Sequence, residues 1–269
     1  MNIIIPMAGA GQRFADAGYT LSKPVIPTTD RRSGMNYPMV VCATMDLPGV
    51  EEKGKNVTYI DRTFHKEDGV EDEIKKHYSL ASFITVEKLT EGQACTCMLA
   101  KEKIDNDDSL LIAGCDNGMA FNSEKLEQLQ QQCDVIAFTY SHNQAVLANP
   151  NAYGWYVPNK ENGIERVSIK KAVSDMPMED HAVVATFWFR KGSIFVEAAE
   201  KMIAENDRIN NEFYVDQVIK HAIELGYDCR IFDIDRYIGW GTPKDYEEYM
   251  ETIQYWKEYV NSNGFIPGV

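Results

Sequence analysis

Asn2-Ile3-Ile4-Ile5-Pro6-Met7-Ala8-Gly9-Ala10-Gly11-Gln12-Arg13-Phe14, followed shortly by Lys23-Pro24-Val25-Ile26-Pro27, is the stretch from which the rest of the chain is read. The apolar run Asn2–Ile5 predicts a buried strand that opens at its C-terminal end into a loop of small residues, where the main chain can approach a ligand closely. Such a loop suits phosphate. Backbone N–H groups freed at the turn point positive ends at an anion, and Arg13 and Lys23 add full charges. Two familiar phosphate loops do not fit. A dinucleotide fingerprint would place a third glycine at Phe14, and a P-loop would end in Gly-Lys-Ser/Thr.

Outward from this stretch, strand-like and helix-like segments alternate. Asn56–Ile60, Ser82–Val86, Ser109–Ala113 and Asp134–Tyr140 carry strand composition, and Tyr37–Met45, Glu71–Tyr78 and Lys125–Gln132 read as helices between them. The rhythm predicts an α/β fold, a Rossmann-like three-layer α/β/α arrangement with a mainly parallel mixed central sheet, in which ligands collect at the carboxyl ends of the strands. The turn-rich stretch from Asn149 to Phe189 predicts a small antiparallel patch. Ile194–Glu205 repeats apolar residues at helical spacing. Asn210 or Asn211 is expected to cap the next helix, and Thr242 with Pro243 to open the last one, Tyr246–Val260. That last helix offers a docking or homodimer surface.

At 269 residues the chain can bury one sizeable core, and 44% apolar with 25% charged residues is an ordinary globular balance. The formal net charge of −14, with 41 acidic against 27 basic side chains, argues against a nucleic-acid surface. A small anionic substrate needs only a local positive pocket and a metal ion. The six cysteines lack disulfide or zinc spacing, no charged leader precedes a cleavable apolar stretch, and no run is long enough to span a membrane. The expectation is a cytoplasmic protein with reduced thiols.

Asp116 is the strongest single candidate after the first loop. The strand from Ser109 delivers it to a carboxyl end between Gly114 and Gly118, where a carboxylate can share Mg²⁺ with phosphate oxygens.

Gly9-Ala10-Gly11-Gln12-Arg13-Phe14 with Lys23-Pro24-Val25-Ile26-Pro27 resembles the G-x-G-x-R-[FLM] … K-P-x-x-P signature of the sugar-phosphate nucleotidyltransferases, and later segments follow that family over most of the chain. The resemblance implies a single domain over 1–269, with a nucleotide-binding half at 1–140, an acceptor-binding half at 141–245, and a C-terminal helix and tail at 246–269. It implies that Ala8, Gly9, Ala10 and Gly11 wrap a nucleoside triphosphate, that Arg13 holds the departing phosphates and that Lys23 sits near the α-phosphate. Gly92 and Gln93, in a segment resembling the family's G-[TQ]-A, would meet the base. Asp116 matches the family's Gly-Asp metal turn, stretched by Cys115. Lys171 or its neighbour Lys170 would contact the acceptor phosphate; strand alternation allows only one of them to face the pocket. Glu212, in Asn211-Glu212-Phe213-Tyr214, would touch the acceptor.

Tyr237-Ile238-Gly239-Trp240-Gly241-Thr242-Pro243 resembles the family's W-x-D-x-G-T-P turn, but Gly239 stands where its second metal-binding aspartate would fall. Asp235, or Asp233, is then expected to supply that carboxylate. The implied reaction is attack by a phosphorylated metabolite on the α-phosphorus of a triphosphate, with release of pyrophosphate and with Mg²⁺ as cofactor. The compact form and the Gly-x-Arg-Phe loop resemble cytidylyl- and uridylyltransferases of surface-polymer biosynthesis, with a sugar 1-phosphate or a phospho-alcohol such as phosphocholine as acceptor. Two alternatives stand beside this reading: a glycosyltransferase using Asp233-Ile234-Asp235 as a D-x-D motif, and a nucleotide sensor without activity.

Overall fold

Ile3, Ile4 and Ile5 are all fully buried, so the first strand is covered on both faces, as its unbroken apolar run requires. The computed structural model describes residues 1–263. Its strands in chain order are β1 (Asn2–Pro6), β2 (Pro27–Thr29), β3 (Asn36–Pro38), β4 (Val57–Arg62), β5 (Ser82–Val86), β6 (Leu110–Ile112) and β7 (Asn117–Ala120). Then come β8 (Val135–Tyr140), β9 (Gly154–Pro158), β10 (Ile164–Ile169), β11 (His181–Phe189), β12 (Cys229–Asp233) and β13 (Arg236–Gly239).

Nine of them form the central sheet, with β1 between β4 and β6 and β5 outside β4. β1, β4, β5, β6, β8, β9 and β12 run in one direction, and only β10 and β11 run against it. The long strand β11 organises the far side. Phe187–Phe189 pair with β6, whereas His181 and Ala182 pair with β9, and β8 lines the opposite edge of both stretches. The register of the β11–β8 ladder shifts between Val183 and Phe187, where Ala185 takes a left-handed φ of +59°. This bulge bends the strand just past the carboxyl end of β6. The β9–β10 hairpin therefore continues the sheet beyond that end. Two two-stranded ladders, β2–β3 and β7–β13, stand off the sheet.

Helices cover both faces. The helices Gln93–Met98, Gly192–Ala204 and Val215–Glu224 pack through Ala94, Cys97, Phe195, Ala199 and Val218 on one side; Met39–Met45, Val70–Lys75 and Ser123–Gln130 pack through Val40, Ile74 and Leu126 on the other. A third cluster joins Phe14, Ile26, Met39, Ile238, Trp240 and Tyr246, so the first loop rests on the last helix, Pro243–Asn263. The α/β three-layer expectation holds. All six cysteines are free, and no helix among the described residues is long and apolar enough to cross a membrane.

Two of the helix boundaries that differ from expectation have a local cause. The helix expected from Tyr37 begins at Met39, because Asn36–Pro38 are paired with β2. The helix expected to open at Asn210 or Asn211 begins at Val215; both asparagines sit at left-handed φ, +52° and +64°, which asparagine tolerates better than most residues. Thr242 does cap the last helix, its Oγ1 accepting from the Asp245 N–H at 3.2 Å. The expected tail after that helix, 264–269, lies outside the described residues.

Where the helices Gly192–Ala204 and Val215–Glu224 meet, fully buried His221 donates from Nε2 to Asp207 Oδ2 at 2.9 Å, and Gln217 and Lys220 donate to the same oxygen at 2.9 and 2.6 Å. Burial opposes ionisation of Asp207, but these donors outweigh it and hold the carboxyl down to about 2. Its contribution to stability is complete above the unfolded carboxylate value and fades as pH falls from about 4 through 2. Asp207→Asn is accordingly expected to lose about 1 kcal/mol at neutral pH after solvent screening. Urea unfolding at several pH values checks this, with the two curves converging near pH 2.

Candidate active site

The ion pair between Lys23 and Asp116 is the centre of the site. Lys23 Nζ lies 2.5 Å from Asp116 Oδ2 and donates a longer hydrogen bond, 3.3 Å, to the Gly241 carbonyl. Each partner is placed by local chain geometry. Lys23 starts a short 3₁₀ turn with Pro24 buried behind it, and its ammonium stands 5.3 Å from the Phe14 ring centroid. Gly11, at φ +63°, brings the first loop so close that a Cβ there would stand 3.3 Å from Lys23 Cβ. Asp116 leaves the sheet four residues after β6, and its carbonyl accepts from Trp240 N at 2.8 Å, extending the β7–β13 ladder. Gly241 passes beside the carboxylate, where a Cβ would lie 3.4 Å from Oδ2.

Burial works against a charge on Lys23, but the Asp116 carboxylate outweighs it and holds the amine above its ordinary value. Next to them, burial and then the same carboxylate push the Cys115 thiol up to about 12, so it stays neutral. Arg13 is exposed on the short helix Gln12–Asp16, near enough to oppose the Lys23 charge. Ala8 is buried, whereas Gly9 and Ala10 are exposed, with open space where a Gly9 side chain would project.

A second glycine loop precedes the helix Gln93–Met98, which packs against β1 through Ala94 and Cys97. Gly92 adopts φ +128° and ψ 173°, a conformation essentially reserved for glycine, immediately before the helix that begins at Gln93. Its bare face lies against the main chain of Phe213: a Cβ would come 2.5 Å from both Phe213 N and O. Phe213 N donates to Glu91 O at 2.8 Å, and Ala94 N donates to Phe213 O at 2.9 Å. Arg208 covers the junction, 4.1 Å from the Phe213 ring centroid and bonded to Glu91 at 3.1 Å.

No family model matches the sequence, and no curated protein is significantly similar to it. Solved structures are. A nucleoside-diphosphate-sugar pyrophosphorylase from Vibrio cholerae RC9 superposes with a TM-score of 0.70 at 17% identity, over 93% of this chain and 99% of that one. A protein described as a glucose-1-phosphate thymidylyltransferase from Bacillus anthracis gives 0.70 at 16% identity, over 94% and 95%. The inositol-1-phosphate CTP transferase from T. maritima gives 0.64 at 13% identity, over 94% and 96%. The fold is that of the sugar-phosphate nucleotidyltransferases.

Within that nucleotidyltransferase fold, the second carboxylate expected at Asp235 or Asp233 does not join Asp116. In the β7–β13 ladder Gly239 pairs with Asn117 and Arg236 with Ala120, which puts Asp116 level with Trp240. Asp235 is five strand positions further, roughly 16 Å along the ladder. Asp233 ends β12, which β8 and β11 separate from β6. Its oxygens are engaged by Thr139, Ser141 and His181 at 3.0, 2.7 and 3.1 Å. The side-chain space at Gly239 is filled instead by Tyr237, whose Cε1 and Oη lie 3.1 and 3.3 Å from where a Cβ would stand. Burial, and after it the Asp116 carboxylate, push the Tyr237 phenol well above its ordinary value, so it is neutral.

Lys170 and Lys171 both follow the end of β10, so the alternation expected to separate them does not apply. Lys170 instead turns through a left-handed φ of +56°, bonds to the Ala152 carbonyl and stands 5.8 Å from the Tyr214 ring centroid. Its charge partly offsets the burial that raises the carboxyl of Asp216. Lys170 and Lys171 are both exposed, as is Glu212, in the turn ahead of Phe213. Linear spacing carried no sign that Tyr237 lies over Gly239 or that Phe213 and Arg208 close on the Gly92 loop. Only the approach of distant segments reveals them.

Proposed function

We propose that the chain is a nucleotidyltransferase that joins a phosphorylated small molecule to a nucleoside monophosphate and releases pyrophosphate. The observation that carries the reading is the Lys23–Asp116 pair, set beside the exposed main chain of Gly9–Gly11 at the carboxyl end of the central sheet. No protein nucleophile is needed, because the acceptor's phosphate attacks as an anion. The chain's task is to position two anions and offset their charge. Gly9–Gly11 present backbone N–H groups to the triphosphate, Lys23 follows the α-phosphate once it exchanges Asp116 for substrate, and Arg13 takes the leaving phosphates. Gln93 meets the base, with CTP or UTP favoured.

Mg²⁺ suits this donor set. Asp116 Oδ2 already accepts one cation, the Lys23 ammonium, and Gly241 leaves its flank free of a side chain. A hard divalent cation is commonly held by one carboxylate and substrate phosphates, and would supply charge neutralisation there. The glycosyltransferase alternative is disfavoured, because Asp233 is engaged by Thr139, Ser141 and His181.

On the acceptor side Lys170 is preferred over Lys171, because it is the one turned toward Tyr214 and Asp216. The test is pyrophosphate release with Mg²⁺, each of the four nucleoside triphosphates, and a panel of sugar 1-phosphates and phospho-alcohols. Dependence on one triphosphate and one acceptor supports the proposal; no release across the panel counts against it. In the same assay Lys170→Ala is expected to raise the acceptor KM by about tenfold or more, with Lys171→Ala within about twofold of wild type.

A further inference from the structure

Tyr237 is half-buried on β13, two residues before Gly239, and its hydroxyl has no hydrogen-bond partner among the described residues. Its oxygen is open to solvent, unlike the sealed and unpartnered Oη of Tyr140. Its ring is fixed by packing. Tyr140, itself buried, stacks on it at 4.2 Å between centroids and 4° between planes. Gly239, two residues on and on the same face of β13, offers no side chain, so the phenol leans over it toward the end of the ladder that carries Asp116. The result is a pre-oriented O–H donor aimed toward the end of the ladder that carries Asp116.

We infer that Tyr237 is an acceptor-binding residue whose hydroxyl donates to a phosphate oxygen of the incoming phosphorylated substrate. This deepens the proposed function and rests on it. Two features favour the acceptor over the triphosphate. Tyr140, which positions the ring, ends β8, and Tyr153 nearby leads into β9, both on the side of the sheet that continues past β6. The glycine loop lies on the other side, next to Lys23.

The test uses Tyr237→Phe, which keeps the ring and the stack and removes only the hydroxyl. Isothermal titration with inorganic phosphate, the shared chemistry of all candidate acceptors, is expected to show about tenfold weaker binding to the variant at an unchanged melting temperature. In the pyrophosphate-release assay the acceptor KM rises by a similar factor and the triphosphate KM stays within about twofold. Phosphate binding within twofold of wild type, or loss confined to the triphosphate, overturns the inference, as does a wild-type protein that binds no phosphate. If no triphosphate and acceptor pair reacts but phosphate binding still depends on the Tyr237 hydroxyl, the reaction fails and the inference stands. Normal turnover by Tyr237→Phe with an unchanged acceptor KM is the converse.

Discussion

Asp116→Ala is expected to lower pyrophosphate release by about a thousandfold, equivalent to about 4 kcal/mol in the barrier. Two effects combine. The variant removes the carboxylate that would share a cation with the triphosphate, and it leaves the Lys23 ammonium, with a side chain only 16% exposed, without its counter-charge. Stability should change much less, because the Asp116 side chain is 34% exposed and water screens the pair. Circular dichroism and a thermal melt alongside the rate measurement separate the two. Asp116→Asn makes the comparison sharper, since it keeps the volume and loses the charge. Full activity in either variant would remove Asp116 from the site.

The second large effect is expected at Gly92. At φ +128° and ψ 173° any side chain is strained, and its Cβ would strike the Phe213 main chain at 2.5 Å, where no rotamer change can relieve it. Gly92→Ala must therefore break the paired hydrogen bonds that Phe213 makes to Glu91 and Ala94. The expected loss is about 3–4 kcal/mol, or a fall in melting temperature on the order of 10 °C. A differential scanning measurement checks it. Whatever protein remains folded should show raised KM values for both substrates, because the junction ties the loop proposed to meet the base to the turn that carries Glu212. An unchanged melting temperature would mean that the two segments are free to part.

Much of the framework was legible because burial leaves a direct trace in sequence. Ile3–Ile5 and Leu110–Ile112 are unbroken apolar runs, and they became central parallel strands covered on both faces. Asp116 could be placed at a strand end because the run before it stops at two small residues. The two glycine-lysine segments were read as neighbours through a resemblance, and Gly11 does lie against Lys23. What stayed hidden depends on pairs far apart in the chain. Phe213 meets Gly92 across the joined loops, and Tyr237 fills the space over Gly239 only because the β7–β13 ladder fixes which way its ring leans. Alternation between Lys170 and Lys171 failed for a local reason: β10 ends at Ile169, so neither residue is on a strand. Asp235 looked close to the turn in sequence, yet an extended ladder carries each successive residue about 3.3 Å further away.

The bulge in β11 has a consequence for how this scaffold can diversify. Phe187–Phe189 hold β6, and His181–Ala182 hold β9, with an irregular stretch of strand between the two pairings. Register on one side is thus not transmitted rigidly to the other. A length change in the turn between Pro158 and Ile164 can alter the hairpin without moving Leu110–Ile112 or the aspartate that follows them. The sheet behaves as a chassis with an interchangeable attachment, on which new acceptor preferences can be tried while the proposed chemistry stays in place.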